Sequence, residues 1–184
     1  MESSESKDSA FVQTVLSALR AKLREEAQEF ILREAAMKIL KYTKLLKKDF
    51  KVVSGAGLYV EEKVKDLTIP VYVIFRFPEW IEIKTLLATA EELPPEIANQ
   101  CKVYEILLRL ANDFAELSFT IDKDGNLYAR QNILVGALSF DVFKEEYEAV
   151  VLSAVIFKKE LLSRFKQCKK EYEEFKEAYE AQIT

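Results

Sequence analysis

The chain has 184 residues, 27 of them Lys or Arg and 31 Asp or Glu, for a net charge of −4. Hydrophobic residues at 49% and charged residues at 32% describe a folded globular chain and exclude a disordered one. The acidic total disfavours bulk attraction to nucleic acid without excluding a local basic site, and the absence of histidine removes the commonest general base and metal ligand.

Residues 1–9 are polar and acidic and lack the basic-then-apolar order of a signal peptide, so they read as a disordered tail on a cytoplasmic protein. Residues 10–49 contain neither Gly nor Pro. Val12, Leu16, Leu19, Leu23 and Phe30 form one helical stripe; Leu32, Ala36, Ile39, Thr43, Leu46 and Phe50 form a second. The segment 24–29 between them is where the helix bends or two helices meet. Gly55-Ala56-Gly57 is a turn. Strand patterns follow at 58–65, 69–77 and 80–86, a three-stranded meander. Pro94-Pro95 opens a helix reaching about residue 112. Its stripes are Ile97, Cys101, Tyr104, Leu108, Ala111 and Val103, Ile106, Leu107, Leu110, Phe114. Covering a sheet takes one such face, so the surplus points to a partner subunit. Strands at 117–121 and 127–134 are joined by the hairpin turn Asp122-Lys123-Asp124-Gly125-Asn126. A last helix starts near Ser139 and extends to about residue 181.

The expected fold is α+β, in the order α-β-β-β-α-β-β-α, with an antiparallel sheet, helices mainly on one face, and long N- and C-terminal helices. The expected organisation is a tail (1–9), an N-terminal helical arm (10–30), a core domain (31–160) and a coiled-coil-like C-terminal arm (161–184). No uninterrupted run of about eighteen apolar residues signals a membrane span. Abundant Lys and Glu with sparse Asn and Gln match the composition of hyperthermophile proteins.

The helix YEILLRLAND, the strand LSFTID, the turn KDGN, the strand LYARQNIL, the segment LSFDVFKEEYEAVV and the preceding WIEIKTLL carry a resemblance. Over about residues 30–160 the chain resembles the YbjN-like and type III secretion chaperone-like fold. That resemblance implies a twisted sheet with helices on one face, dimers, and binding of unfolded or extended partners. In layout, the helical arms are also similar to archaeal single-stranded-DNA-binding proteins that lack an OB fold.

The last helix carries a four–three apolar repeat: Tyr147, Val151, Ala154, then Leu161, Phe165, Cys168, Tyr172, Phe175 and Tyr179, with Lys158 as a break. Leu161, Phe165, Cys168, Tyr172, Phe175 and Tyr179 are the candidate oligomerisation residues. They pair either with the N-terminal arm or with another subunit.

Strand alternation sends Leu58, Val60, Val64, Val71, Val73, Phe75, Ile81, Ile83, Leu117, Phe119, Ile121, Leu127, Ala129 and Ile133 towards the helices. Tyr59, Lys63, Tyr72, Arg76, Trp80, Lys84, Tyr128 and Arg130 then share the opposite face, with Ile74 among them. Rings for stacking bases and cations for phosphates are what a single-stranded nucleic acid needs. Three readings compete: a half-solvated sheet face, a nucleic-acid platform, and a site for an extended peptide. The leading expectation is a non-enzymatic oligomeric protein binding single-stranded nucleic acid with little sequence specificity; the alternative is a chaperone-like protein binding an extended peptide or partner protein. Lys38, Lys41, Lys44, Lys47, Lys48 and Lys51 form a basic run that complements a helix C-terminus or tracks phosphate beside the sheet. The Asp122 loop lacks the later ligands of a calcium site. Cys101 and Cys168 read as small core residues. No cofactor, metal or catalytic group is expected.

Overall fold

The computed structural model of the chain describes residues 2–53, 57–76, 79–94, 97–113, 117–162, 170, 173 and 174. Side chains at 2–16, 18, 19, 97–99, 101 and 160 lie outside that description. The chain divides into two compact units, Met1–Lys41 and Tyr42–Thr184.

The first unit is most of helix α1 (Glu2–Leu45), which is continuous over 44 residues. It passes through 24–29, where the sequence places a bend, and takes in residues 2–9, which composition assigns to a tail. With neither Gly nor Pro in this stretch, nothing interrupts the hydrogen-bond ladder. Leu23, Phe30, Ile31 and Met37 are exposed along it.

The second unit opens with the end of α1. Lys47 adopts the left-handed conformation (φ 55°). Its N–H donates to the Lys44 carbonyl at 2.9 Å, and the Lys48 N–H donates to the Thr43 carbonyl at 3.2 Å. These two bonds form a Schellman stop, with Lys where Gly is usual. The chain is thereby released into a strand that the sequence analysis did not identify, β1 (Phe50–Val53). Phe50 belongs to this strand and not to the helical stripe.

The remaining strands are β2 (Gly57–Val64), β3 (Leu67–Arg76), β4 (Trp80–Ala88), β5 (Phe119–Ile121) and β6 (Leu127–Leu134). All pair antiparallel in the order β1-β2-β3-β4-β6-β5. Helix α2 (Ile97–Asp113) connects β4 to β5 and contacts β5. Helix α3 (Phe140–Ile156) lies across β3, β4 and β6. Ser139 caps it by accepting from the Val142 N–H at 3.2 Å.

One sheet face supplies Leu58, Val60, Val71, Val73, Ile81, Ile83, Leu127, Ala129 and Ile133 to the core, the phase that strand alternation predicts. Phe119 and Ile121 share this face by register but lie on an edge strand, where they are half-buried and exposed respectively. From the helical side come Phe143, Tyr147, Val150, Ala154, Phe157 and Leu161, all buried. Their spacing is an unbroken four–three repeat. The apparent break at Lys158 arises from following Val151 and Lys158 instead of Val150 and Phe157. Phe157–Leu161 is a wider π-helical turn, within which Lys158 Nζ donates to the Thr68 carbonyl at 3.3 Å. Within this core Tyr147 donates to Glu62 Oε2 at 3.0 Å, and Lys48 pairs with Glu62 Oε1 at 2.6 Å. Burial, reinforced by Glu62, pushes the Tyr147 hydroxyl well above its ordinary range.

Candidate partner-binding face

The opposite sheet face is assembled by strand register. Lys51, Tyr59, Tyr72, Lys84 and Arg130 are successive partners across five strands, forming one row. The next row is Val53, Gly57, Ile74, Glu82 and Asn132, followed by Arg76, Trp80 and Leu134. Gly57 is required here, because a Cβ would sit 2.9 Å from the Val73 carbonyl oxygen. Tyr59, Tyr72, Ile74, Leu86 and Tyr128 are half-buried, while Arg76 and Trp80 are exposed.

All eight residues read from the sequence as a binding face therefore share one side of the sheet. Seven group around the middle rows; Lys63 lies towards the far end of β2, opposite Thr68. There it lines an open basin of about 460 Å³ with Lys47, Lys48 and Lys51. The basic run thus divides. Lys44 sits in the last turn of α1, Lys48 pairs with Glu62, and Lys51 joins the strand row.

Sequence reasoning missed the residue at the centre. Glu82 is 2% exposed, yet it lies between Trp80 and Lys84 on the solvent-side face. Arg76 Nε and Lys84 Nζ each approach its carboxylate at 2.9 Å, and Arg130 Nη2 at 3.4 Å. Burial alone would raise its pKa. The bonds from Arg76 and Lys84 and the charges of Lys84 and Arg130 outweigh burial and hold the carboxyl below its ordinary range. The alternation that selects Trp80 and Lys84 selects Glu82 equally, so the signal was present. Asn132, missed as well, accepts from Arg130 Nε at 3.4 Å and Nη2 at 3.3 Å.

The rings also have partners. Tyr59 and Tyr72 lean together at 5.3 Å between centroids, and Lys84 Nζ lies 5.2 Å above the Tyr128 ring. A shallow pocket of about 190 Å³ remains between Arg76, Trp80, Arg130 and Asn132.

Leu161, read as an oligomerisation residue, is buried in the second unit. Phe165, Cys168, Tyr172, Phe175 and Tyr179 lie outside the described residues, as does the Cys101 side chain. The Asp122 carboxylate is engaged by its own turn, accepting from the Asp124 and Asn126 N–H groups at 2.9 Å each and from Asn126 Nδ2 at 3.0 Å. Among the described residues, no cluster of three or more Cys, Asp or Glu side chains is placed to hold a metal ion. Among those residues also, no helix is long and apolar enough to cross a membrane.

No protein-family model matches the sequence, and a search of curated proteins found no match. Solved structures share the fold. A chain of the ExsC–ExsE complex has a TM-score of 0.51 at 13% identity, covering 70% of this chain and 94% of that one. An uncharacterized protein from Methanothermobacter thermautotrophicus has a TM-score of 0.51 at 14% identity, covering 71% and 99%. A chain of the HopA1–SchA chaperone–effector complex has a TM-score of 0.43 at 16% identity, covering 69% and 88%. The ExsC–ExsE chain and the Methanothermobacter protein share the α+β fold of this chain; a likeness to single-stranded-DNA-binding proteins is not shown by them.

Proposed function

We propose that this chain is a non-enzymatic, chaperone-like binding protein that takes an extended segment of a protein partner on the outer face of its sheet. The observation that carries this reading is the accessible cross-strand surface, where Tyr59, Tyr72, Ile74, Trp80, Leu86 and Leu134 are interleaved with cations. Aromatic side chains beside Arg are the usual anchors of a protein interface. The ExsC–ExsE complex supports it as a case in which a chain of this fold is found with a protein partner. An array of overlapping peptides tests the reading. Tyr72→Ala should weaken bound segments about tenfold, the usual loss at an interface anchor. Uniform binding by the altered chain would sink it.

The same row, Lys51-Tyr59-Tyr72-Lys84-Arg130, favours a second reading, a platform for single-stranded nucleic acid. Anisotropy of a labelled oligonucleotide at two salt concentrations separates the two. Phosphate contacts weaken steeply with salt, and Trp80→Ala should weaken binding further by removing a ring on which a base stacks.

The proposal includes self-association through α2. Val103 and Leu107 are buried, whereas Tyr104 and Ala111 are half-buried and Leu108 is 72% exposed on the helix's other stripe.

A further inference from the structure

Resting on the protein-partner reading, we propose that the pocket between Arg76, Trp80, Arg130 and Asn132 seats an acidic side chain, Asp or Glu, carried by the partner's extended segment. Its volume, about 190 Å³, is below the roughly 300–1,000 Å³ of small-molecule sites and suits a single side chain.

Charge complementarity identifies the occupant. Arg76, Lys84 and Arg130 converge on one buried carboxylate, so three positive charges meet one negative charge and a formal +2 remains. Arg76 engages Glu82 through Nε and Nη2, and Arg130 engages Asn132 through the same two groups. Among the described residues, these bonds run through Nε and Nη2 of each guanidinium, and Nη1 is the group through which a ligand would be met. A partner carboxylate can then accept one charge-assisted hydrogen bond from each guanidinium, an oxygen to each. Because Glu82 and Asn132 already hold the two guanidinium groups, little side-chain entropy is lost on binding. Trp80, 42% exposed, supplies an apolar wall for the acid's methylene groups.

A polynucleotide fits this arrangement less well. Its phosphates are strung out along the chain, but here three cations meet at a single point. Tyr59, Tyr72 and Tyr128 already contact a neighbouring ring or cation, so three of the four rings expected to stack with bases are engaged.

Trp80 is the single tryptophan of the chain and lines the pocket, so its fluorescence reports occupancy directly. The experiment titrates the full chain with a capped extended peptide of alternating valine and glutamate, its glutamine counterpart, a thymidine oligonucleotide and inorganic phosphate. The glutamate peptide is expected to shift Trp80 emission and to bind about tenfold more tightly than the glutamine peptide. Arg76→Gln and Arg130→Gln should each abolish that preference. The comparison of the two peptides on the unaltered chain needs no variant, so it stands even where a substitution impairs folding. Equal binding of both peptides overturns the acidic seat and leaves the partner-binding face in place. Binding of neither overturns both. An oligonucleotide that binds more tightly than the glutamate peptide, or phosphate that matches it, overturns the proposal in favour of nucleic acid or a small anion. Self-association that disappears with Arg76→Gln would seat a second copy there and equally overturn it.

Discussion

Thr85 lies on β4, facing the core between Ile83 and Leu87, and is fully buried; its hydroxyl has no hydrogen-bond partner among the described residues. An unpaired buried hydroxyl costs about 1–3 kcal/mol, and Val keeps the β-branched shape without it. Thr85→Val should therefore stabilise the fold by about 1 kcal/mol in chemical denaturation, although most core substitutions destabilise. Glu82 shows the opposite case, a buried charge with partners. Glu82→Gln leaves Arg76, Lys84 and Arg130 facing one another without a counter-charge and should cost about 2–4 kcal/mol. Its pH signature follows from the lowered carboxyl pKa. The unfolded chain binds the proton more readily, so the stabilisation is complete above the ordinary value of 4.5 and is lost as pH falls from there through the depressed folded value. Denaturation midpoints measured between neutral pH and pH 3 should fall less steeply for Glu82→Gln than for the unaltered chain.

The elements differ in how openly the sequence declares them. Strands β2, β3, β4 and β6 were legible because alternation puts mostly Val, Ile and Leu on one face and mostly polar or aromatic residues on the other, with Ile74, Leu86 and Leu134 as exceptions. Strand β1 was not, since its signal is four residues long and follows a helical pattern with no Gly or Pro to end it. The actual stop is the left-handed backbone of Lys47, where the sequence offers a basic run but not the Gly that usually marks the position. That placement makes a test. A non-glycine residue in the left-handed region is strained by about 1–2 kcal/mol, while Gly costs about 0.5–1 kcal/mol in unfolded-state entropy. Lys47→Gly should therefore stabilise the chain by about 0.5–1 kcal/mol, read as a higher melting temperature. A loss would mean that the Lys47 side chain contributes more than its backbone costs. The candidate face was legible by the same alternation, but its electrostatics were not. Lys and Arg on a strand face read as free cations until register brings Glu82 among them.

At the scale of the whole molecule, apolar surface is distributed unevenly. The core face of the sheet is covered by α3 over β3, β4 and β6, and the outer face mixes rings with charges. Helix α2 leaves Leu108 72% exposed, flanked on the same stripe by the half-buried Tyr104 and Ala111. The surplus of apolar residues on this helix was visible in the sequence, as two stripes where covering a sheet takes one. The structure shows which is spent: Val103 and Leu107 go into the core, and Tyr104, Leu108 and Ala111 do not. A net charge of −4 is small for 184 residues, so electrostatic repulsion would oppose pairing of two such stripes only weakly. Self-association through α2 predicts a concentration-dependent dimer in sedimentation velocity. Leu108→Glu should shift that equilibrium to monomer by at least tenfold, because each copy would bring a buried, unpaired charge to the interface. The exposed position of Leu108 means the substituted chain should keep its fold, with an unchanged far-ultraviolet spectrum. A chain that is monomeric at tens of micromolar before substitution would remove α2 from the interface and leave the outer sheet face as the surface on which partners act.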